Sequence, residues 1–461
     1  MASLVEHDGR RYIYLKGAPD RLLARSQPEY DAELTVDSIC TYGTENIHNE
    51  FWESAIDDLS AQGLRVLAGA VKEVPADTNS ITTDDVDAGG FAFVGFYGII
   101  DPPREEAIDT IATLHNAGIR IEMTTGDHAG TATAIGHQMG IGQGTTAITG
   151  AEIEDASDDE LREVARDHDI FARTSPAHKL RLVRALQVNG EVVSMTGDGV
   201  NDAPSLKRAD VGVAMGIKGT EATKDAADVV LADDNFATIG RAVHMGRTIY
   251  DNLVKSITFM LPTNGAQGLV VFVAVLFGLT LPLTPVQVLW VNTITAVTLS
   301  LALAFEPSEP DVMNRPPRKP GGSILPRESL IRIAYVSLLI GGATIGVFLW
   351  SRDQGMDVAV SRTLAVNTIV VAQMFFLLAS RFTRTSSLRK ELFTTNPISW
   401  GAFVLMGLLQ VAFVYLPFMN SAFASQAVDI RGWLLPVAIG IVIFLVIEVE
   451  KAFQHRARSK S

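Results

Sequence analysis

The segment EVVSMTGDGVNDAP, residues 191–204, decides the fold of the first half of the chain. Its apolar start predicts a short buried strand over Val192–Met195, which runs directly into a glycine-rich turn bearing Asp198 and Asp202. Open α/β sheets place their chemistry at the carboxyl ends of their strands. We therefore expect both aspartates at a site on such a sheet edge.

A second junction of the same kind lies upstream, in IRIEMTTGDHAGTATAIGHQMG, residues 119–140. Here an apolar strand is followed by Thr125, Gly126 and Asp127 and then by a helix. Hydroxyl groups and backbone N–H groups at the start of a helix suit a phosphate group. This turn is therefore a candidate phosphate site.

Between these two junctions, FARTSPAHKLRLVRAL, residues 171–186, supplies a strand end with Arg173 and a helix that carries Lys179. The three segments together offer two carboxylates for a hard divalent ion, phosphate donors and a lysine. Phosphoryl transfer needs such a set, because that reaction depends mainly on positioning and electrostatics. Each motif alone is weak evidence for phosphoryl transfer. Their occurrence in order, on successive strands, predicts this chemistry.

Composition divides the 461 residues into two halves, so the net charge of −14 describes mainly the first. Charged residues recur up to about residue 245, whereas long apolar runs with almost no acidic residues begin after Leu253. A single cysteine, Cys40, excludes an internal disulfide and agrees with a reducing compartment. We expect a soluble part followed by a membrane part, and no nucleic-acid partner.

Six apolar stretches are long enough to cross a hydrocarbon layer of roughly 30 Å, which takes about 20 helical residues. They are predicted near residues 253–279, 284–305, 330–350, 360–380, 399–418 and 431–450. The alternative, six buried helices of a large soluble protein, is disfavoured by the charges of the loops. Lys and Arg collect in alternate connections: Arg315, Arg318, Lys319, Arg327; Arg381, Arg384, Arg389, Lys390; Lys451, Arg456, Arg458 and Lys460. By the positive-inside rule, the soluble half and the C-terminus lie in the cytoplasm of a multi-pass protein, which we expect in the plasma membrane.

Two polar clusters interrupt the first pair of these stretches. FMLPTNGAQGLVV carries Asn264 and Gln267, and LWVNTITAVTLS carries Asn292 and Thr295; each pair is three residues apart and so shares a helical face. Amides and hydroxyls in lipid need partners, so these side chains are expected to face one another or a cavity. Cation binding and simple interhelical hydrogen bonding are both open at this point.

The motifs resemble, in order, those of P-type cation-transporting ATPases, whose phosphorylation domain has the haloacid dehalogenase-like, Rossmann-like α/β fold. The similar segments are KGAP at 16–19, DPPR at 101–104, MTTGD at 123–127, FARxxPxxK at 171–179 and TGDGVNDAP at 196–204. The continuation at 216–239 is similar to the type II class, which includes calcium and sodium pumps. The resemblance extends to the last helix and implies a partial α+β nucleotide-binding domain at 1–97, a phosphorylation domain at 98–245 and a six-helix membrane domain at 246–461.

The same resemblance implies ATP and Mg²⁺ as cofactors and gives roles to individual residues. Lys16, Gly17, Arg65 and Arg173 would contact the nucleotide; Thr125, Gly126, Asp127, Lys179, Asn201 and Asp202 would support phosphoryl transfer; Asp198 and Asp202 would bind Mg²⁺. Within the part of the chain surrounded by membrane lipid, the transported inorganic cation would be bound by Asn264, Gln267, Asn292 and Thr295.

The chain departs from the family pattern in two respects. The family's phosphorylated aspartate lies in DKTGT, which the sequence does not contain, so we expect this chain to be inactive alone and to need the N-terminal half of a pump. The resemblance also implies that Gln267 and Ala296 stand where calcium pumps have acids, which favours a monovalent ion or a less charged site. Two other functions stay open: a non-catalytic nucleotide-binding membrane protein that pairs with or regulates an intact pump, and, less favoured, a phosphatase fused to helices.

Overall fold

The computed structural model describes residues 1–29, 49–99, 102–325, 327–382 and 386–458. Predictions on Cys40, Asp101, Arg384 and Lys460 lie outside these residues, as do the side chains of Arg65, Ala296, Arg456 and Arg458. The chain forms two compact units, residues 1–241 with 314–317 and residues 242–313 with 318–461. The predicted boundary at residue 97, inside the first unit, stays a prediction.

The first unit begins with a mixed five-stranded sheet in the order β1-β2-β4-β5-β3. Its elements are β1 (Ala2–His7), β2 (Arg10–Gly17), α1 (Pro19–Leu23), β3 (Ser26–Glu29), α2 (Asn49–Ala61), β4 (Arg65–Val74), α3 (Thr83–Asp87) and β5 (Phe91–Ile99). Neighbouring strands are antiparallel except β3 and β5, which are parallel. Ile13, Phe91 and Phe93 are buried in one cluster with Ile56, and Trp52 packs edge-on against Phe93. Helix α2 therefore covers this sheet.

The rest of the first unit contains two separate parallel sheets of three strands. Their strands are β6 (Met123–Thr124), β7 (Ile148–Thr149), β8 (Ile170–Ala172), β9 (Ser194–Gly197), β10 (Val211–Met215) and β11 (Val229–Leu231). The orders are β6-β8-β7 and β11-β10-β9. Among the described residues, the end strands β6, β7, β9 and β11 each pair with a strand on one side only, so each presents an open edge.

Strand β9 begins two residues later than the predicted Val192–Met195. The backbone N–H of Val193 donates to the Asp210 carboxylate at 2.9 Å, and the Val193 carbonyl accepts from Asp210 and Val211. These contacts form the connection that leads into the ladder, which starts with the pairing of Ser194 and Val211. The apolar pattern therefore located the strand but not its first residue.

Seven helices cover these parallel sheets. They are α4 (Glu105–Asn116), α5 (Ala129–Gln138), α6 (Gly150–Asp155), α7 (Asp158–Asp167), α8 (Pro176–Val188), α9 (Ala203–Arg208) and α10 (Glu221–Ala226). Local sequence sets several starts, since Ser157 with Glu160 and Ser175 with His178 form capping boxes. Ile170 packs with Ile111 on one face of β8, whereas the next residue, Phe171, lies in another cluster. This sheet is therefore a layer between two sets of helices.

The second unit contains, within the described residues, six helices long and apolar enough to cross a membrane. Its elements are α11 (Phe236–Leu276), which begins in the first unit, and α12 (Pro285–Thr295), α13 (Leu301–Leu303), α14 (Arg327–Asp353), α15 (Val358–Ser380), α16 (Glu391–Thr394), α17 (Pro397–Tyr415), α18 (Pro417–Phe423) and α19 (Leu434–Arg458). A π-helical turn over Ala296–Ser300 joins α12 to α13, so these form one candidate span. The prediction of six spans is confirmed, although several of their bounds differ.

The largest difference concerns α11, which begins at Phe236 rather than near residue 253. The Asn235 side chain accepts from the Ala237 N–H at 2.9 Å and starts the helix in polar sequence. Gly278, at φ +63°, lies just beyond the other end, where a left-handed residue closes a helix. Helix α17 stops before Pro417, since the residue preceding a proline disfavours helical backbone. Hydropathy marks the apolar part of a helix rather than its full length.

Helix α15 forms the centre of the membrane unit. It is buried along almost its whole length, whereas the other spans each leave a broad face exposed. The ring of Phe376 stacks on Phe259 of α11, with centroids 5.4 Å apart. At the end of α15, the guanidinium of Arg381 donates to the Glu306 carboxylate at 2.8 Å, and both side chains are almost fully buried. Asn396 also donates to that carboxylate, so several helix ends share one buried anion.

A buried acid lies immediately before the open edge strand β6. The Glu122 side chain is 15% exposed and lies 3.4 Å from the guanidinium of Arg120, which also pairs with Asp169 at 2.5 Å. Burial raises the pKa of Glu122 to about 8, against the opposing charge of Arg120. A carboxyl group whose pKa is raised on folding favours the folded state when protonated. Its contribution to stability is therefore lost as the pH rises from about 4.5 to about 8.

Replacing Glu122 with Gln should raise the thermal unfolding midpoint of the detergent-solubilised chain most at pH 8.5, less at pH 5.5, and hardly at all at pH 4, below the ordinary pKa of the carboxyl group. The acid costs on the order of 3 kcal/mol when it must ionise in its buried position. The matched control is Glu160→Gln, whose carboxylate is held ionised by the Ser157 N–H and hydroxyl, which lower its pKa. An equal dependence of the midpoint on pH in Glu122→Gln and wild type would contradict the assignment.

Candidate functional site

The turns that follow β6 and β8 are joined by backbone hydrogen bonds. The Thr125 N–H donates to Phe171 at 2.9 Å, and in return the Thr174 N–H donates to the Thr125 carbonyl at 2.9 Å. The Arg173 N–H donates to the Asp127 carbonyl at 3.1 Å. The predicted phosphate turn and the predicted Arg173 therefore lie side by side at the carboxyl ends of parallel strands.

The Thr125 hydroxyl is directed back into its own turn. It donates to the Asp127 carboxylate at 3.0 Å and accepts from the Asp127 N–H at 3.1 Å. Space is open around Gly126, where an added Cβ would meet no atom within 4 Å. The turn thus leaves an open position at Gly126, as a phosphate site requires, while the Thr125 hydroxyl is bonded to Asp127.

An ion pair joins the two parallel sheets. Lys179, on the helix after β8, donates from Nζ to Oδ1 of Asp202, in the turn after β9, at 2.7 Å. The lysine side chain is 18% exposed and the aspartate 10%. The other carboxylate oxygen of Asp202 accepts from the Gly199 N–H at 3.3 Å. One ammonium group therefore connects the helix after β8 to the turn after β9.

Gly197 is required by the packing of this turn. A Cβ at residue 197 would lie 2.5 Å from the Cβ of Asp202 and 2.7 Å from its Oδ2. Asp202 belongs to a single 3₁₀ turn, Val200–Asp202, which folds its carboxylate back onto the strand end. The glycine in GDG therefore permits the aspartate to reach the lysine.

Asp198 has a different environment from Asp202. Its side chain is exposed, while its backbone carbonyl accepts from the Thr220 N–H at 3.1 Å and the Thr223 hydroxyl at 3.4 Å. The backbone is thus held in place while the carboxylate points away from these contacts. Asn201, two residues before the helix α9, is also exposed.

These residues fit a magnesium ion that is shared with a phosphate. The described part of the chain contains no group of three or more His, Cys, Asp or Glu side chains placed to hold a metal. Mg²⁺ commonly uses one or two carboxylates and completes its shell with water and substrate phosphate. Asp198 offers a carboxylate of this kind, whereas both oxygens of Asp202 already have partners. Asp202 as a metal ligand stays a prediction.

The residues expected to contact nucleotide lie on the five-stranded sheet. Lys16 pairs with Gly69 and Gly17 with Ala68, across β2 and β4, and the Lys16 ammonium lies 5.8 Å from the centroid of the Tyr97 ring. Arg65 is the first residue of β4. A cation beside a half-exposed aromatic ring is a surface that suits a base and a phosphate.

Arg173 has a partner that the sequence did not indicate. Its Nη1 donates to Oδ2 of Asp20 at 2.9 Å, across 153 positions of sequence. Asp20 follows the KGAP motif directly, which is the only signal the sequence offers. The structure therefore brings the KGAP segment and the turn after β8 together.

A groove of about 570 Å³ runs between α11 and α12 in the membrane unit. Its polar lining consists of Asn264, Gln267 and Asn292, and the rest is apolar. Gln267 is 3% exposed, and neither atom of its amide has a hydrogen-bond partner among the described residues. Buried amides normally find partners, so an unpaired amide beside a groove is consistent with a polar ligand.

The fourth predicted cation ligand, Thr295, does not line this groove. Its hydroxyl donates to the Val291 carbonyl at 2.6 Å, one helical turn earlier, and the residue is buried. Sequence reasoning also passed over three buried amides in the centre of the bundle, Asn367, Gln373 and Gln410. Their signal was the one used for Gln267, an amide within an apolar run.

Comparisons with known proteins agree with both units. A family model described as the C-terminus of cation-transporting ATPases matches residues 280–453. Two models described as haloacid dehalogenase-like hydrolases match residues 29–210 and 178–266.

Curated relatives extend the similarity over almost the whole chain. Cation-transporting ATPase pma1 of Synechocystis is 40% identical over 450 residues, which are 95% of this chain and 48% of that protein. Probable cation-transporting ATPase F of Mycobacterium tuberculosis is 41% identical over 98% of this chain and 49% of its own length. The calcium-transporting ATPase of Bacillus subtilis is 38% identical over 96% and 49%. The chain spans about half the length of the curated relatives it matches. Together these matches support a C-terminal portion of a P-type cation-transporting ATPase, with similarity over a haloacid dehalogenase-like domain and over the C-terminal membrane region.

Proposed function

We propose that these 461 residues work as the C-terminal part of an ATP-driven cation pump, in which an aspartyl-phosphate couples ATP hydrolysis to transport. The observation that carries the proposal is the Lys179–Asp202 pair, which connects the helix after β8 to the turn after β9. Backbone hydrogen bonds connect the turn after β8 to the turn after β6. A positive charge, phosphate donors and a free carboxylate for Mg²⁺ stabilise a phosphoryl group in transfer. ATP would lie against Lys16, Gly17, Arg65 and Arg173, with its terminal phosphate toward Thr125, Gly126, Lys179 and Asp198.

The acceptor aspartate would come from polypeptide outside these residues. The open edges of β6 and β9 support this, since one further parallel strand between them would pair with both. The carboxyl end of such a strand would lie beside Thr125, Asp198 and Lys179, which is where an aspartate must attack the phosphate. Its carboxylate oxygen would bond to phosphorus as the bond to ADP breaks. The chain alone would then form no phosphoenzyme.

We also propose that the pump lies in the plasma membrane with this first unit and the C-terminus in the cytoplasm. The basic connections near Arg318, Arg389 and the C-terminal end support this orientation by the positive-inside rule. The transported ion would enter the groove beside Asn264, Gln267 and Asn292.

The first test joins this chain to the N-terminal half of the Mycobacterium tuberculosis relative, by co-expression, and measures acid-stable label from γ-labelled ATP. We expect hydroxylamine-sensitive label on the N-terminal half only when both halves are present. Asp198→Asn should lower the label at least tenfold, since it removes the proposed Mg²⁺ ligand without disturbing a buried pair. Lys179→Ala should do so too.

Lys207→Ala is the matched control, because Lys207 is an exposed lysine on the neighbouring helix α9. Label that persists in Asp198→Asn and Lys179→Ala would contradict the proposed site. Nucleotide binding by this chain, without phosphoenzyme in any combination, would instead favour a non-catalytic protein that pairs with an intact pump.

The second test concerns the ion. Calcium favours carboxylate and carbonyl oxygens, and the groove supplies amides without a carboxylate. In the joined halves we expect a monovalent cation, not micromolar Ca²⁺, to control phosphoenzyme formation, and Gln267→Glu to introduce sensitivity to Ca²⁺ of at least tenfold. Gln354→Glu, the same change at an exposed position beyond α14, serves as the control. Calcium transport with Gln267 intact would count against the monovalent assignment.

A further inference from the structure

We propose that Asp20 is an internal competitor of nucleotide: its carboxylate holds the guanidinium of Arg173 until polyphosphate displaces it. The inference rests on the proposed ATP site and adds a residue to it. Asp20 would be a positioning residue that sets nucleotide affinity, and nucleotide binding would release a contact between the KGAP segment and the phosphate turns.

The first support is where the two residues are anchored. Arg173 takes left-handed backbone, with φ +51°, which is uncommon for a residue other than glycine. Its N–H is bonded to Asp127, and the following Thr174 is bonded twice to the Thr125 carbonyl. The backbone of Arg173 is thus fixed beside the candidate phosphate turn while its side chain is bonded to Asp20.

The second support is the position of the partner. Asp20 lies in the first turn of α1, four residues after Lys16, so the same short segment carries a candidate nucleotide contact and the anion that holds Arg173. The two side chains are 42% and 47% exposed, so water and an incoming ligand can reach the pair. An anion from the protein itself therefore stands where an anionic ligand would be bound.

The charges of Asp20 and Arg173 allow a nucleotide to replace Asp20 as the partner of Arg173. Burial works to raise the pKa of Asp20, but the hydrogen bond and charge of Arg173 hold it below its ordinary value, so the carboxylate stays ionised near neutral pH. A half-exposed pair of single charges is weak, typically below about 1 kcal/mol. A triphosphate offers several charges and bidentate geometry to a guanidinium and should outcompete one carboxylate.

The experiment measures the affinity of the detergent-solubilised full chain for fluorescent trinitrophenyl-ATP, with Mg²⁺, at low ionic strength. We expect Asp20→Asn to bind about two- to fivefold more tightly than wild type, as loss of a weak competing pair allows. Asp20→Glu should bind like wild type, because it keeps the carboxylate. Arg173→Ala should bind more weakly, and Asp20→Asn combined with Arg173→Ala should match Arg173→Ala alone.

The matched control is Asp87→Asn. Asp87 pairs with Arg25 at 2.7 Å, with 54% and 33% of the side chains exposed, and this pair takes no part in the proposed site. Its removal should leave the affinity unchanged.

Three results would overturn the inference. If wild type binds the nucleotide saturably and Asp20→Asn binds it no more tightly, Asp20 does not compete with nucleotide, although the proposed ATP site still stands. If Asp20→Asn raises the nucleotide affinity by the same factor in wild type and in Arg173→Ala, the effect comes from the lost negative charge in general and not from release of Arg173. Failure of every variant to bind nucleotide would overturn both this inference and the proposed ATP site.

Discussion

The arrangement of the candidate phosphate site depends on one ion pair, that between Lys179 and Asp202. Within the described residues the parallel strands are divided between two sheets, and this pair connects the end of one sheet to the end of the other. Because both side chains are mostly buried, removal of either partner would leave a charge in a poorly solvated place. Gly197 leaves the space that the aspartate needs, and Pro176 and Ser175 start the helix that carries the lysine. Helix capping, turn geometry and charge therefore all contribute to the position of the Lys179–Asp202 pair.

The open edges of β6 and β9 relate this pair to the function of the family. An ion pair between a lysine and an aspartate can be purely structural. Where a sheet edge beside the pair can accept a further strand, the lysine can also contact a reacting group on that strand. Unpaired strand edges inside a protein are unusual, because backbone N–H and C=O groups need partners. Val192, just before β9, is an exposed apolar residue beside this edge. Both features suit further polypeptide that packs here.

The membrane unit solves a different problem, since its helices must satisfy polar groups without water. Most do so locally, as Thr295, Thr344 and Thr368 donate to carbonyls one turn earlier. Charged groups are paired near helix ends, as Arg381 is with Glu306 and Lys255 is with Glu309 at 3.0 Å. Against this background the unpaired amide of Gln267 stands out, because its neighbours are a groove rather than a helix end. The membrane unit therefore combines a closely packed centre around α15 with a polar groove between α11 and α12.

The sequence by itself determined the features that depend on neighbouring residues. Hydropathy over about 20 positions predicted six spans, and strand-to-turn motifs placed Thr125 and Asp198 at strand ends and Lys179 on the helix that follows a strand, because these signals are local. Tertiary structure decided which groups meet over long separations: Arg173 with Asp20, and Asn264 with Gln267 and Asn292 in one groove, without Thr295. It also decided the burial of Glu122, which alternation in a two-residue strand could not reveal. A side chain's partner and its exposure to water depend on packing between elements, and no local pattern of residues records that packing.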